Sequence, residues 1–166
     1  MKKLNKYIQI ETQNGFKIIK AFSPSHGPGA ANYERNCVVL NSLFIYGNDT
    51  SFDENVLIGV LYHEIGHLKY FKKYPVTKEN FTDEYKTNSE FFAFENSLIE
   101  LQKIANNGDS TPLKATYEKL NERITKVLNN DFSDEDNSKS HIDALIRLSK
   151  SKTFQRCDCY LKKNNY

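Results

Sequence analysis

The sequence predicts an α+β fold. A small N-terminal antiparallel or mixed β-sheet comes first, then a long helix carrying two histidines, then three further helices. Three observations lead there. The apolar pattern alternates in short runs over residues 1–50 and takes helical spacing afterwards. Proline and glycine crowd Ser23-Pro-Ser-His-Gly-Pro-Gly29, the mark of a loop between strands. Helix start and stop signals then punctuate the rest of the chain. No repeat recurs and no linker is long enough to divide the chain. Residues 1–166 are therefore read as one domain: 1–50 β-rich, 51–150 helical, 151–166 a basic tail.

In order, Tyr7-Ile-Gln-Ile-Glu-Thr12 reads as a strand, Asn14-Gly15 as a type I′ hairpin turn, and Phe16 to Phe22 as the returning strand. Cys37 to Tyr46 supplies one or two more strands, broken near Asn41-Ser42. Ser51-Phe-Asp-Glu54 has the spacing of a capping box, which opens a helix from about Asp53 to Lys73, before Pro75. Leu57, Leu61, Ile65 and Leu68 form one apolar stripe on it, beside a second of Val56, Val60, His63 and His67. The next helix runs from Asn80–Asp83 to about Ala105 and ends at Asn106-Asn107-Gly108. Thr111-Pro112 starts a third as N-cap and first-turn residue, with Leu113, Tyr117, Leu120, Ile124 and Val127 at helical spacing. Asp131 to Asn137 is an acidic loop, and a short fourth helix covers His141–Lys150.

Composition narrows the function classes. The net charge of +2 is too small to argue for nucleic acid or an anionic membrane. Val56–Tyr62 is the longest apolar run and is far too short to span a bilayer. The N-terminus lacks the apolar stretch of a secretory signal, and three cysteines, an odd number, fit reduced thiols. A cytoplasmic protein is expected, with no membrane and no direct nucleic-acid partner.

The chemistry-bearing feature is His63-Glu64-Ile65-Gly66-His67. Four residues of helix turn through about 400°, so the two imidazoles lie about 40° apart on one face, one turn along. Both can ligate one metal ion, and Glu64 sits where its carboxylate can take a proton from an activated water. The spacing is that of HExxH zinc hydrolases. Half of the chain's four histidines fall in it.

A catalytic zinc usually takes three protein ligands and keeps one position open. No histidine follows at the spacing of the three-histidine motif, so the third ligand of the one expected Zn²⁺ should come from the next helix. Glu84, Glu90, Glu95 and Glu100 are offered there. Glu84 is the first choice, because Asn88 lies one turn further on the same face and can hold a histidine ring nitrogen. Glu90 is the alternative. It lies about 120° around the helix from Glu84, so the two cannot face one ion.

Glu84-Tyr85-Lys86-Thr87-Asn88, together with HEIGH and the preceding VVLN, resembles the ImmA/IrrE-type zinc metallopeptidases, of the class with HExxH plus a glutamate (gluzincin-like). The resemblance covers residues 35–98. It departs at Thr87, where alanine is usual, and at the late Phe92-Ala93 pair. It implies a zincin-like fold and hydrolysis of a peptide bond in an intracellular protein such as a helix-turn-helix transcriptional repressor.

In that reading Glu64 is the catalytic base, His63, His67 and Glu84 are the metal ligands, and Asn88 supports them. An extended substrate is expected to pair with a strand edge at Cys37–Leu40, engaging Val38, Val39 and Leu40. Tyr62, Tyr85, His26, Arg35 and His141 are candidate oxyanion donors that sequence does not rank. The competing function is a non-catalytic module that retains zinc and works by binding. Its weakness is the intact Glu64, since a binder has no use for a base. Plainer roles are assigned elsewhere: Cys37 and Phe91-Phe92 to the core, His26 to a solvated loop, His141 to a helix start, and Cys157-Asp-Cys159 to an ordinary tail.

Overall fold

The computed structural model describes residues 1–22, 27–47, 53–131 and 138–164. It is an α+β arrangement, in chain order α1 Lys2–Gln13, β1 Lys17–Ala21, β2 Gly29–Asn32, β3 Cys37–Asn41, α2 Ser42–Tyr46, α3 Glu54–Lys73, α4 Asp83–Asn106, α5 Thr111–Leu128, α6 Lys139–Ser149 and α7 Lys152–Lys163.

The first expected strand is instead α1. Leu4, Tyr7 and Glu11 recur at spacings of three and four and are the buried residues of that helix. Tyr7 to Thr12 alternates only in part, since Tyr7 and Ile8 are adjacent apolar residues. Asn14-Gly15 closes the helix and makes no hairpin. Gly15 takes φ +94°, Gly15 N–H donates to Thr12 and Phe16 N–H to Glu11, the paired bonds of a Schellman stop.

The sheet has order β1-β3-β2, with β1 parallel and β2 antiparallel to β3. It is mixed because β1 and β2 lie on opposite sides of β3: the tight turn at Tyr33–Asn36 brings β3 back antiparallel to β2, and so parallel to β1. The expected break at Asn41-Ser42 is present, but α2 follows it. Asn41 caps that short helix by accepting from the Leu43 amide at 3.1 Å.

Helix α3 starts one residue inside the predicted span and ends where predicted. Asp53, not Ser51, is its N-cap and accepts from the Asn55 and Val56 amides. Ser51 lies outside the described residues, as do His26 and most of the acidic loop. Glu54 is turned instead to α1, where it accepts from the Leu4 amide and pairs with the terminal amine. Ser110 precedes α5 as its cap residue, and Thr111 is the first helical position. The expected basic tail is α7, an amphipathic helix that buries Phe154, Cys157 and Leu161. Phe154 stacks on Tyr117 at 4.7 Å between ring centres.

One apolar cluster runs from Leu4 through Val38, Leu57, Leu61, Ile65, Leu98 and Leu145 to Leu161, and α3 threads its centre. Leu57, Leu61 and Ile65 are fully buried, each burial contributing about 1.5–3 kcal/mol. Two α3 glycines set the helix spacing. A Cβ at Gly66 would stand 2.7 Å from Ala93 Cα of α4, and one at Gly59 would collide with the Thr116 hydroxyl of α5. Ser97 donates to the Gly59 carbonyl and Asn96 to the Tyr62 carbonyl, so α4 is bonded to α3 as well as packed on it. Among the described residues no helix is long and apolar enough to cross a membrane.

Candidate metal centre

The close α3–α4 crossing at Gly66 and Ala93 brings Glu90 to the two histidines. His63 Nε2 lies 3.4 Å from Glu90 Oε2, His67 Nε2 lies 3.4 Å from Oε1, and the two Nε2 atoms are 3.1 Å apart. Among the described residues this is the group of histidine, cysteine and acidic side chains whose donor atoms all lie within 4.8 Å of one another.

Glu90 therefore takes the place expected of Glu84. Glu84 lies exposed in the first turn of α4. The reason is axial distance. Glu90 precedes Ala93 by three residues, about 4.5 Å of helix, while Glu84 precedes it by nine, about 13.5 Å. The supporting residue shifts in the same way. His67 Nδ1 lies 2.7 Å from Ser89 Oγ, whereas Asn88 accepts from the Arg147 guanidinium at 2.7 Å. A signal was present in the chain: Glu90 is followed three residues later by Ala93, small enough for a helix crossing, and Glu84 by the larger Thr87.

The donor set fits zinc. Two imidazole nitrogens and a carboxylate are ordinary zinc ligands, and ligands at about 2.0–2.1 Å on a tetrahedral ion stand about 3.3–3.5 Å apart. The two Nε2 atoms stand 3.1 Å apart, each 3.4 Å from a different oxygen of Glu90, and one donor atom from each residue lies within 4.8 Å of the others, so the group is compact enough to hold one ion. His63 Nδ1 and Glu90 Oε2 are buried without an aligned hydrogen bond, an arrangement that is costly unless another group engages the cluster.

Charge is unevenly distributed across the cluster. Burial pushes the His63 imidazole below its ordinary value, against the pull of Glu90. His67 is raised: burial opposes its charge, but contact with Glu90 and the field of Glu64 prevail. Glu90 stays well below the carboxylate range, since both histidines outweigh its burial. Glu64 is different. Burial pushes its carboxyl up to about 7, with Glu90 adding to the rise and His67 opposing it.

Glu64 is turned toward the sheet and accepts from the Ala31 amide of β2. Gly29 permits this approach, for a Cβ there would stand 2.6 Å from Val60 Cγ1 and 2.9 Å from Glu64 Cγ. A cleft of about 340 Å³ opens above the cluster. It is lined by Gly29, Ala30 and Ala31 of β2, by Ser89 and Glu90 of α4, by Ser140 and His141 of α6, and by Phe71, Phe81, Tyr85 and Lys86.

The strand edge at this cleft is β2. The expected edge, Cys37–Leu40, is β3, which is paired on both sides, and Val38 and Leu40 are fully buried. Strand β2 was missed because Gly29-Ala-Ala-Asn32 has neither β-branched nor aromatic residues and follows a loop. His141 lies at the start of α6, as expected, with its side chain about one-third exposed, and it has a second contact as well. Ser138 caps α6, and His141 reaches the cleft, with Nε2 3.2 Å from Glu90 Oε2. Tyr62 is committed elsewhere, its hydroxyl donating to buried Glu11 at 3.0 Å, and Tyr85 donates to the Tyr74 carbonyl at 2.6 Å. Compared with family models, curated proteins and solved structures, the chain has no match, so the site stands on its own geometry.

Proposed function

We propose that the chain is a zinc-dependent endopeptidase acting on a protein substrate in the cytoplasm. One observation carries the reading: His63, His67 and Glu90 bring their donor atoms within 4.8 Å of one another, with a buried carboxylate, Glu64, lining the same cleft. Bound there, zinc would supply Lewis acidity, bringing the pKa of a water to about 7 and polarising a carbonyl.

The chain's own residues do the rest. Glu64 accepts the proton of the attacking water and returns it to the departing amine. The Ala31 amide fixes that carboxylate, and Ser89 fixes the His67 ring. Substrate lies along β2. The Asn41 amide bonds the Pro28 carbonyl, so by ladder alternation Gly29 and Ala31 turn their backbone groups away from β3. The Ala31 N–H is taken by Glu64, which leaves the Gly29 N–H and the Gly29 and Ala31 carbonyls for an extended peptide added at that edge. The resemblance of residues 35–98 nominates a helix-turn-helix transcriptional repressor as the substrate class.

The test is metal analysis beside proteolysis for the wild type and Glu64→Gln. Both should hold one zinc per chain, and the variant should lose about 10²–10⁴-fold in hydrolysis, the scale of a missing general base. Full activity of Glu64→Gln would sink the mechanism. A wild type that binds zinc and cleaves nothing would indicate the zinc-retaining binding module instead.

A further inference from the structure

A third imidazole approaches the Glu90 carboxylate, from α6. His141 stands in the first turn of that helix, its Nδ1 2.6 Å from the hydroxyl of the cap residue Ser138 and its Nε2 3.2 Å from Glu90 Oε2. His67 is held in the same manner, Nδ1 against Ser89 Oγ at 2.7 Å and Nε2 toward the other oxygen of Glu90. Two serines thus present two rings, Nε2 first, to one buried carboxylate.

Helix α6 is firmly seated where it does this. Arg147 donates to Asn88 of α4 and lies 4.7 Å over the Phe91 ring, while Ala144, Leu145 and Leu148 are buried beneath. Asn88 and Phe91 flank Glu90 in sequence, so α6 grips α4 around the ligand itself. His141 falls outside the set of donors lying within 4.8 Å of one another, which separates it from the ligands proper. Glu90 Oε2 is buried without an aligned hydrogen bond, so its position depends on what surrounds it.

We propose that His141 is a positioning residue of the metal centre, holding the Glu90 carboxylate in the orientation that presents it to His63 and His67. The 3.2 Å contact is at ion-pair distance and is not an aligned hydrogen bond; an ionised carboxylate only accepts, so an Nε2 that steadies it carries the hydrogen and Nδ1 accepts from the Ser138 hydroxyl. Metal affinity and the docking of α6 on α4 are then linked, each favouring the other. The inference rests on the metal-site reading above.

The experiment is zinc titration against a competing chromophoric chelator for the full chain, His141→Ala, His141→Gln and His63→Ala, with circular dichroism to confirm folding. His141→Ala should still bind one zinc per chain with a dissociation constant about 10–100-fold higher, the usual loss when a partner of a metal ligand is removed. His141→Gln, whose amide N–H can stand near the lost Nε2, should recover part of it. An unchanged constant in His141→Ala overturns the proposal while leaving the metal site intact. Loss of one imidazole from the zinc X-ray absorption spectrum of His141→Ala would also overturn it, by making His141 a ligand. If the wild type binds no zinc, or His63→Ala binds as tightly as the wild type, the metal-site reading itself fails.

Discussion

Gly66 lies between the two histidines of HEIGH and decides which glutamate joins them. Its missing side chain lets Ala93 of α4 approach so closely that a Cβ would stand 2.7 Å from the Ala93 backbone. Gly66→Ala should therefore push α4 outward. Overpacking of this kind costs about 1–3 kcal/mol, read as a lower urea midpoint, and should weaken zinc binding by shifting Glu90. Removing the ligands tests the assignment more directly. Glu90→Ala should lose more zinc affinity than the roughly 10–100-fold typical of groups that merely support a ligand, and Glu84→Ala should lose none. Chelator competition on both variants measures this. A large effect at exposed Glu84 with none at Glu90 would reverse the assignment. The pair His63 and His67 was legible at this scale because it depends only on helical geometry within one turn. Glu90 was not, because its partners are 23 and 27 residues away in sequence.

At the scale of elements, the helices with long apolar periods were readable and the short pieces were not. The spans of α3 and α4 follow from apolar spacing and from Pro75 and Asn106-Asn107-Gly108, all local signals. Helix α1 was mistaken for a strand because six residues satisfy both periods in part, and the choice falls to Leu4 and Glu11 finding burial against α3. Helix α7 was read as a tail because its charges dominate its composition. Its Phe154, Cys157 and Leu161 stripe becomes meaningful only against α4 and α5. This placement has a chemical consequence. Cys37 and Cys157 are buried and Cys159 is exposed. Burial pushes the Cys157 thiol up to about 12. Its contribution to stability is thus full below the ordinary thiol value of about 8.5 and declines as pH rises toward the folded value. With a colorimetric thiol reagent at pH 8, one thiol per folded chain should react quickly and all three after unfolding. Rapid reaction of Cys157 in the folded protein would refute the packing of α7.

For the whole molecule, the site joins elements that are far apart in the chain: residues of α3, α4, α6 and β2 line one cleft. A metal bound by two helices at once should stabilise the native state, because the unfolded chain holds no such site. At free zinc one hundred times the dissociation constant the gain is about 2.7 kcal/mol, or roughly 5–10 °C in melting temperature for a chain of this size. Calorimetry with and without chelator should show that shift in the wild type and in Glu64→Gln, and not in His63→Ala. An equal shift in all three would place the ion elsewhere.

By itself the sequence determined the two-histidine helix, the carboxylate of Glu64 beside the pair and the order of the main helices, since each follows from spacing along one element. Only the tertiary structure decided which glutamate meets the two histidines, which strand edge faces the cleft and that His141 reaches Glu90. Those depend on where α3 crosses α4, on which strand lies outermost and on how α6 docks. Contacts between residues distant in sequence set all three, through packing and axial distance that no local period records.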